Sequence, residues 1–368
     1  MLERFDVAIV GGGPGGSACA WRLVQAGARV VILDQKTFPR DKTCAGWVTP
    51  PVWDALQVDL DDYQPSRVLQ PITGFRTGMI GGREVETRYG KVVSYGIRRC
   101  EFDTYLLNRC GAELRTGQPV RSMVRSNGCW QINETYEAPL LVGAGGHFCP
   151  VARMLGARDV PHTSVVTAQE IEFEATGDDL SRGSVAAEMP ELFFCPDLNG
   201  YGWCFRKGTF LNIGLGRIGA EQLTNQVAAF VEFLRERGKV VASFPGRLHG
   251  HAYQLYERVP PKLVDDGVLL IGDAAGLAHP QSGEGIRPAV ESGLIAADVI
   301  GELHLGASSD NLQTYADRIV AHFGRTHQRN PSDWLPHSWL SWAARQLMAS
   351  SWFTRRVVLD QWFLGQAV

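Results

Sequence analysis

Short apolar segments alternate with glycine-rich turns at the start of the chain. Such segments bounded by glycine are typical of buried strands, and the longer apolar segment between them favours a helix. The pattern therefore predicts a strand–turn–helix–strand unit that ends at an acidic residue. Its parts are a strand at 5–10, a turn at 11–16, a helix at 17–26, a strand at 28–33, and Asp34.

The first turn carries the spacing G-x-G-x-x-G at Gly11, Gly13 and Gly16, with Pro14 inside it. In a dinucleotide-binding unit these glycines allow a tight turn, close approach of a pyrophosphate and close helix–strand packing. An acid about 20 residues further on accepts from ribose hydroxyls in such units, and Asp34 holds that position. A glycine-rich turn without a ligand is the simpler alternative.

A second turn of the same kind lies late in the chain. A short apolar strand at 268–271 ends in Gly272 and Asp273, and a glycine-rich loop at 280–286 opens a long apolar helix. A helix N-terminus offers unpaired N–H groups and the positive end of a dipole. This stretch suits an anion or an electron-rich ring edge, with Asp273 placed to accept from sugar-like hydroxyls.

Between these turns the pattern changes to short alternating strands joined by Gly, Pro, Asn and Asp. Such spacing favours an antiparallel sheet, inserted into the nucleotide-binding fold and covering a substrate cavity. The predicted strands are 164–173, 183–188, 192–195, 201–205 and 210–215, with hairpins at 69–93 and a helix at 221–237.

The fold prediction is an α/β protein: a discontinuous Rossmann-like dinucleotide-binding domain, which the resemblance described below makes an FAD-binding domain, an inserted antiparallel β-sheet substrate domain and a C-terminal helical region. The predicted dinucleotide-binding domain comprises residues 1–70, 95–158 and 262–305. The predicted substrate domain comprises residues 71–94 and 159–261, and the helical region 306–368.

Composition narrows the choice of partners. The 368 residues carry a formal net charge of −3, which argues against nucleic acid as a partner, because binding to phosphates needs a basic field. Eight cysteines are scattered without C-x-x-C spacing, so no metal site is expected. No basic-then-apolar leader and no apolar run of about 18 residues is present, so we expect a cytoplasmic protein.

The C-terminal segment is rich in tryptophan, with Trp334, Trp339, Trp342, Trp352 and Trp362. One interpretation is a helical cap on the core, because large aromatic side chains need packing partners. The other is peripheral membrane contact through an interfacial helix.

The turn Gly11–Gly16, the pair Gly272-Asp273 and the stretch Pro280–Ile286 together resemble the FAD-dependent oxidoreductases of the p-hydroxybenzoate hydroxylase fold. Within that superfamily, four motifs resemble the geranylgeranyl reductase family above all. The likeness spans residues 5–293. The matching residues are Lys42-Thr43-Cys44-Ala45; Arg99, Phe102, Asp103 and Leu106; Tyr201, Trp203 and Phe205; and Pro280-Gln281-Ser282-Gly283-Glu284-Gly285-Ile286.

The resemblance implies bound FAD held by both turns, with the flavin carrying the redox step. The cofactor-binding residues it implies are Gly11, Gly13, Pro14, Gly16, Asp34, Gln35, Cys44, Ala45, Arg99, Val120, Gly145, Gly272, Asp273, Gly283, Glu284, Gly285 and Ile286. Arg99 has the alternative of a solvated surface arginine. NAD(P)H is one candidate electron donor, although Gly145-Gly146 replaces the superfamily's Asp-Gly turn.

Three residues are candidates for catalysis. Cys44 lies in a loop expected to approach the flavin ring, while most intracellular cysteines are inert and apolar. Tyr201 and Trp203 alternate along one strand, so both face one side, as cavity wall or as ordinary core.

The functional prediction is reduction or dehydrogenation of a carbon–carbon double bond in a small hydrophobic, isoprenoid substrate. A flavin monooxygenase acting on an aromatic or polyketide-like molecule is the alternative, because the same fold supports both. A flavin-binding redox or membrane-docking protein without turnover is the third hypothesis.

Overall fold

A computed structural model describes residues 1–157, 164–219, 221–241, 246–256, 262–303, 309–324 and 337–365. Contacts within the chain divide it into two compact units. Unit 1 comprises Met1–Arg40, Cys100–Ser164 and Tyr253–Gln328, and unit 2 comprises Asp41–Arg99, Val165–Ala252 and Arg329–Val368.

Unit 1 contains a six-stranded sheet whose four inner strands are buried almost throughout. All neighbours pair in parallel except at the first edge, where the pairing is antiparallel. Near-continuous apolar strands in a parallel sheet are typical of doubly wound α/β folds. The strand order is Val264–Asp265, Val268–Leu270, Leu140–Gly143, Val7–Val10, Val30–Asp34 and Glu113–Thr116.

Five α-helices and a second, four-stranded sheet are the other main elements of the described part of unit 1. The helices are Pro14–Gln25, Arg99–Arg109, Pro150–Met154, Ile286–Glu302 and Ser309–Phe323. Short 3-10 turns occupy Gly146–Phe148 and Gly272–Ala275. The four-stranded sheet has the order Glu3–Arg4, Tyr136–Ala138, Cys129–Ile132 and Met123–Ser126.

The helices Pro14–Gln25 and Ile286–Glu302 meet backbone to backbone at glycines. A Cβ at Gly293 would lie 2.4 Å from the Gly15 carbonyl oxygen, and one at Gly15 would lie 2.8 Å from the Ala289 carbonyl oxygen. Only glycine allows this approach, which brings the two predicted glycine turns to the same end of the sheet.

Unit 2 is built on a seven-stranded sheet and a three-stranded sheet. The larger sheet has the order His249–Gln254, Val165–Glu174, Phe210–Ile218, Gly200–Lys207, Glu191–Phe194, Gly74–Met79 and Glu84–Arg88. The smaller has the order Trp47–Val48, Ser94–Ile97 and Leu69–Ile72. Its helical segments are Pro50–Ala55, Leu60–Tyr63, Gln64–Ser66, Gly177–Arg182, Leu223–Glu236, His337–Met348, Ser351–Phe353 and the π-helical Thr354–Phe363.

Three details of the predicted substrate sheet are wrong. Residues 183–188 form no strand, because the chain leaves the short helix Gly177–Arg182 in isolated hydrogen bonds rather than in a ladder. The strand Glu191–Phe194 pairs in parallel with Gly74–Met79, so the sheet is not wholly antiparallel. The first strand of the predicted hairpins, Leu69–Ile72, belongs instead to the smaller sheet.

The C-terminal segment packs on unit 2 through apolar side chains. Val358, Leu359 and Phe363 are buried in a cluster with residues of both sheets, whereas Trp352 is 68% exposed. The side chains of Trp334, Trp339 and Trp342 lie outside the described residues. None of the described helices combines the length and the apolar character that crossing a bilayer requires.

Candidate functional site

The first glycine turn in unit 1 is shaped by backbone contacts that exclude side chains. Gly11 has a φ of +116°, and a Cβ there would lie 2.4 Å from the Ala144 carbonyl oxygen. A Cβ at Gly16 would lie 2.0 Å from the Gly11 carbonyl oxygen. The turn therefore has one conformation that only glycine permits at both positions.

Gly13 caps the helix Pro14–Gln25 with open space beside it. Among the described residues, no side chain accepts from its first N–H groups, and the nearest atom to a Cβ at Gly13 is a guanidinium nitrogen of Arg40, 3.6 Å away. Unpaired N–H groups beside a cation form an anion-binding site at a helix N-terminus. The helix begins at Pro14 rather than at residue 17, as suits proline in a first turn.

The guanidinium of Arg40 shows whether the first glycine turn is suited to a phosphate group. Its Nη2 lies 3.2 Å from the carboxylate of Asp103, which is fully buried, and its guanidinium stacks over the Phe38 ring at 4.7 Å. Its Nη1 is buried without a hydrogen-bond partner in the described part of the chain. A buried donor of this kind costs stability unless a ligand accepts from it, so a pyrophosphate fits here.

Asp34 ends the strand Val30–Asp34 and is oriented by two backbone donors. Its Oδ2 accepts from the Gly12 N–H at 2.8 Å, and its Oδ1 accepts from the Lys36 N–H at 2.8 Å. A carboxylate has about four acceptor positions, so ribose hydroxyls can still donate to the remaining ones.

Three more predicted residues flank this turn. Gln35 follows Asp34, and Val120 lies two residues after Gln118, whose N–H donates to the Asp34 carbonyl at 2.9 Å. The N–H nitrogen of Gly145 is 2.7 Å from the position of a Cβ at Gly11. All three are therefore local to the turn.

The second glycine turn is held against the helix that follows it. Gly272 has a φ of +57°, its N–H donates to Ser292 Oγ at 3.0 Å, and a Cβ there would lie 2.9 Å from the Ala289 Cβ. Asp273 Oδ1 lies 3.2 Å from the position of a Cβ at Gly285. The carboxylate predicted to bind sugar hydroxyls thus lies beside the N-terminus of the helix Ile286–Glu302.

The loop before this helix is a closed turn. The Gly283 N–H donates to the His279 carbonyl at 2.8 Å, and the His279 N–H donates to the Glu284 carbonyl at 2.9 Å. Gly283 has a φ of +67°, with Tyr253 Oη 2.4 Å from the position of its Cβ. Gly285 is the N-cap of the helix and has no side chain to accept from the first helical N–H groups, so the positive dipole end lies at this turn.

The loop also contains two half-buried titratable groups. Burial raises the pKa of Glu284 to about 7, against the opposing charge of Arg287. Burial, helped by the Arg287 charge, lowers the pKa of His279. Both pKa shifts favour the neutral form of the group beside the N-terminus of the helix Ile286–Glu302.

The remaining predicted residues lie in unit 2. Cys44 is half-buried in a loop with Ala45, and the Gly46 N–H points to the Cys44 sulfur at 3.3 Å. Arg99 is only 8% exposed, which excludes the solvated surface arginine considered from sequence.

Tyr201 and Trp203 share one face of the strand Gly200–Lys207, with ring centroids 6.1 Å apart. Trp203 is 5% exposed and donates its indole N–H to Asn212 Oδ1 at 2.7 Å, while Tyr201 remains partly exposed. The two residues therefore differ: Trp203 is core, and Tyr201 packs at its margin against Phe363.

Unit 2 also contains a cavity of about 430 Å³, whose lining includes the three residues that precede Cys44 in the sequence. It is lined by Asp41, Lys42, Thr43, Arg247, Leu248, His249, Gly250 and His251. Its lining is predominantly basic. Among the described residues, no group of His, Cys, Asp or Glu side chains is arranged to hold a metal ion.

Comparison with known proteins agrees with this geometry. Residues 9–40 match the model of the NAD(P)-binding Rossmann-like domain family. The chain superposes on the crystal structure of a geranylgeranyl bacteriochlorophyll reductase-like protein from Thermoplasma acidophilum with a TM-score of 0.76 and 22% identity, over 95% of this chain and 88% of that one. The chain shares the fold of this geranylgeranyl bacteriochlorophyll reductase-like protein.

Sequence relatives of the chain include named reductases. It is 28% identical to the digeranylgeranylglycerophospholipid reductase of Methanothrix thermoacetophila over 323 residues, 81% of this chain and 78% of the relative. It is also 28% identical to the menaquinone reductase of Mycobacterium tuberculosis over 346 residues, 88% of this chain and 81% of the relative. The predicted kinship with FAD-dependent oxidoreductases is confirmed at the level of the fold.

Arg40 is a residue beside the first glycine turn that sequence reasoning missed. The only sequence signal is its place in the irregular segment after the second strand, where specific contacts are common. Its partner Asp103 lies on a distant helix, so the pairing could not be inferred from spacing.

Proposed function

We propose that the chain is an FAD-dependent oxidoreductase that reduces a carbon–carbon double bond of a hydrophobic, isoprenoid substrate. The observation that carries the flavin half is the pair of glycine turns in unit 1, with the buried unpartnered nitrogen of Arg40 beside Gly13. The reaction half is supported by relatives named as reductases, one of them of a geranylgeranyl-bearing phospholipid.

Each turn has a proposed task in holding FAD. The Gly13 end of the first helix and Arg40 bind the pyrophosphate, and Asp34 binds the adenosine ribose with Gln35 and Val120 beside it. Asp273 accepts from the ribityl chain. The amides of residues 283–286 face the ring edge, where the positive helix end stabilises negative charge.

Bound FAD supplies hydride transfer, and the protein supplies placement and electrostatics. Cys44, Ala45 and Arg99 are assigned to this chemistry on the sequence motif. Cys44 is the proposed catalytic residue. Its half-buried thiol is one of three cysteines in the described chain that are not fully buried.

The basic cavity before Cys44 supports a substrate with an anionic end. Lys42 and Arg247 line it together with two histidines, against a single carboxylate from Asp41. Arginine and lysine are the usual partners of phosphate groups. A prenyl diphosphate or a prenylated phospholipid therefore fits better than a neutral prenyl alcohol.

The test is anaerobic mixing of dithionite-reduced, FAD-loaded protein with geranylgeranyl diphosphate, followed by the visible flavin band and product mass. We expect flavin reoxidation and a product heavier by two hydrogen atoms per reduced double bond. A saturated prenyl diphosphate is the matched control and should give neither. Reoxidation only with oxygen, together with a hydroxylated product, would contradict the reductase and favour the monooxygenase.

The electron donor is a separate question. NAD(P)H remains one candidate, and anaerobic titration of oxidised protein with NADH and NADPH tests it. Bleaching of the visible flavin band would identify the donor, whereas no bleaching would point to a protein reductant.

A further inference from the structure

The loop that carries Cys44 is hydrogen-bonded on both sides of that residue to side chains of the large sheet in unit 2. Glu170 Oε1 accepts from the Cys44 N–H at 2.9 Å. Asn212 Nδ2 donates to the Cys44 carbonyl oxygen at 3.1 Å. Both peptide groups of Cys44 therefore depend on long-range side-chain contacts rather than on a turn of their own.

The next peptide is held in the same way. Lys207 Nζ donates to the Ala45 carbonyl oxygen at 3.1 Å and to the Ile97 carbonyl oxygen at 2.9 Å, and it forms an ion pair with Glu172. A Cβ at Gly46 would lie 2.2 Å from the same Ile97 oxygen, so the loop lies directly on the sheet. The ammonium joins the loop to the smaller sheet.

These side chains also orient one another. Asn212 Nδ2 donates to Glu170 Oε2 at 2.6 Å, and Asn212 Oδ1 accepts from the Trp203 indole at 2.7 Å. Because an indole N–H can only donate, it fixes which end of the Asn212 amide faces Cys44. Trp203 thus acts on the loop through Asn212.

The side chains of Glu170, Asn212 and Lys207 are polar or charged, and burying them costs free energy. Glu170 is 6% exposed, and Asn212 and Lys207 are each 1% exposed. Burial raises the pKa of Glu170 to about 7, although Lys207, the Cys44 N–H and Asn212 oppose it. Apolar residues of similar volume are often at least as stable at such positions, so a network of this kind suggests a need for defined geometry.

We propose that Glu170, Asn212 and Lys207 are positioning residues that hold the Cys44 thiol in its reactive placement, and that Trp203 acts through Asn212 rather than on the substrate. The relevance of this to turnover rests on the proposed function of Cys44. We call the hydrogen bonds from Glu170, Asn212 and Lys207 to the Cys44 loop the polar clamp. The polar clamp can be measured without turnover.

The first test uses the unaltered, FAD-loaded protein. Hydrogen–deuterium exchange of a peptide covering residues 41–47 should show slow exchange at the Cys44 amide, comparable to amides of the sheet. Exchange as fast as that of an exposed loop would overturn the clamp.

The second test is Glu170→Gln, with Glu191→Gln as matched control. Gln supplies one acceptor oxygen, so either Cys44 N–H or Asn212 Nδ2 meets an N–H group instead. Glu191 is a fully buried carboxyl group of the same sheet, and its described partners are Arg76 and Lys239, which both lie outside residues 41–47. Both variants lose a buried carboxyl group, but only the first alters the Cys44 loop.

For Glu170→Gln we expect kcat to fall about a hundredfold with KM nearly unchanged, because a small misplacement of a reacting group has that effect. The rate of Cys44 alkylation by iodoacetamide, taken as the difference from Cys44→Ser, should rise at least about threefold. Glu191→Gln should change neither. Equal effects in both variants would overturn the proposal.

The failure of the proposed function gives a different result. If Cys44→Ser retains full reductase activity, Cys44 is not catalytic, yet slow exchange at its amide and faster alkylation in Glu170→Gln would still establish the clamp. If Glu170→Gln fails to fold, the exchange experiment on the unaltered protein decides the matter alone.

Discussion

The two regions that carry the candidate chemistry are built from different materials. In unit 1 the glycine turns are shaped by backbone atoms, and side chains are excluded at Gly11, Gly16 and Gly293. In unit 2 the Cys44 loop is shaped by buried polar side chains, chiefly Glu170 and Asn212. A backbone-shaped site tolerates no added atom, whereas a side-chain-shaped site depends on charge and on hydrogen-bond direction.

The largest expected effect is that of Gly16→Ala on FAD binding. Its Cβ would lie 2.0 Å from the Gly11 carbonyl oxygen, so the first turn must move. We expect FAD affinity to fall at least about a hundredfold, or a colourless protein, by titration of apoprotein. Gly27→Ala is the control, because alanine is strained at its φ of +86° but no atom lies within 4 Å of the added Cβ. It therefore tests backbone strain without a clash. Native affinity in Gly16→Ala would contradict a backbone-shaped cradle.

Arg40→Met asks whether a side chain also contributes to the first turn. Loss of charge-assisted hydrogen bonds to a pyrophosphate should weaken FAD binding about tenfold to a hundredfold. Arg22→Met is the matched control, because Arg22 pairs with Asp298 and lies near the other end of the same helix. Isothermal titration with FAD measures both variants, and equal affinities would remove Arg40 from the site.

A pH series compares one carboxyl group from each region. Burial raises the pKa of Glu284 and of Glu170 from 4.5 to about 7, so each binds a proton on folding within that window. Their contribution to stability is therefore greatest below pH 4.5 and is lost as pH rises to about 7. As pH rises through this window, the melting temperature of the unaltered protein should fall relative to that of Glu284→Gln or Glu170→Gln, by about 2–4 °C.

Glu172→Gln should change the pH dependence of stability in the opposite direction. Burial acts to raise the pKa of Glu172, but the attraction and hydrogen bond of Lys207, together with Arg98 and Asn212, outweigh it and lower the pKa. Its contribution is present above the ordinary pKa and is lost as pH falls through the lowered one, so this variant should be relatively less stable at neutral pH. A gain for Glu172→Gln at neutral pH would contradict the charge assignment.

The smallest effect is expected for Arg247→Ala in the basic cavity. We expect KM for geranylgeranyl diphosphate to rise about fivefold, with no change for geranylgeraniol, because a partly solvated charge contributes up to about 1 kcal/mol. Arg182→Ala removes an exposed arginine paired with Asp178 and should leave both KM values unchanged. An equal rise for the alcohol would argue against a phosphate contact.

The same contrast explains what could be predicted from the sequence. The spacing of Gly11, Gly13 and Gly16, followed by Asp34, predicted a Rossmann-like fold that the structure confirms, because backbone geometry restricts the residue type directly. The division into flavin and substrate domains and the assignment of site residues remain predictions.

The polar clamp could not be read from the sequence. Glu170 and Glu172 alternate with apolar residues along Val165–Glu174, a pattern typical of a solvent-facing strand side. Asn212 lies opposite Glu172 in the paired strand. Glu170 and Asn212 are buried and contact a loop more than a hundred residues earlier, and no local pattern records such a contact.

The glycine contact between Gly15 and Gly293 also has a consequence for biosynthesis. The first strands and helix of unit 1 leave the ribosome long before the strand Val268–Leu270 and the helix Ile286–Glu302 that complete their sheet and cover their glycines. Loop closure over so much sequence is slow, and the emerging half exposes apolar surface meanwhile. Closure of the first glycine turn must therefore await synthesis of the helix Ile286–Glu302, so a chain that ends before this helix should be prone to aggregation rather than simply inactive.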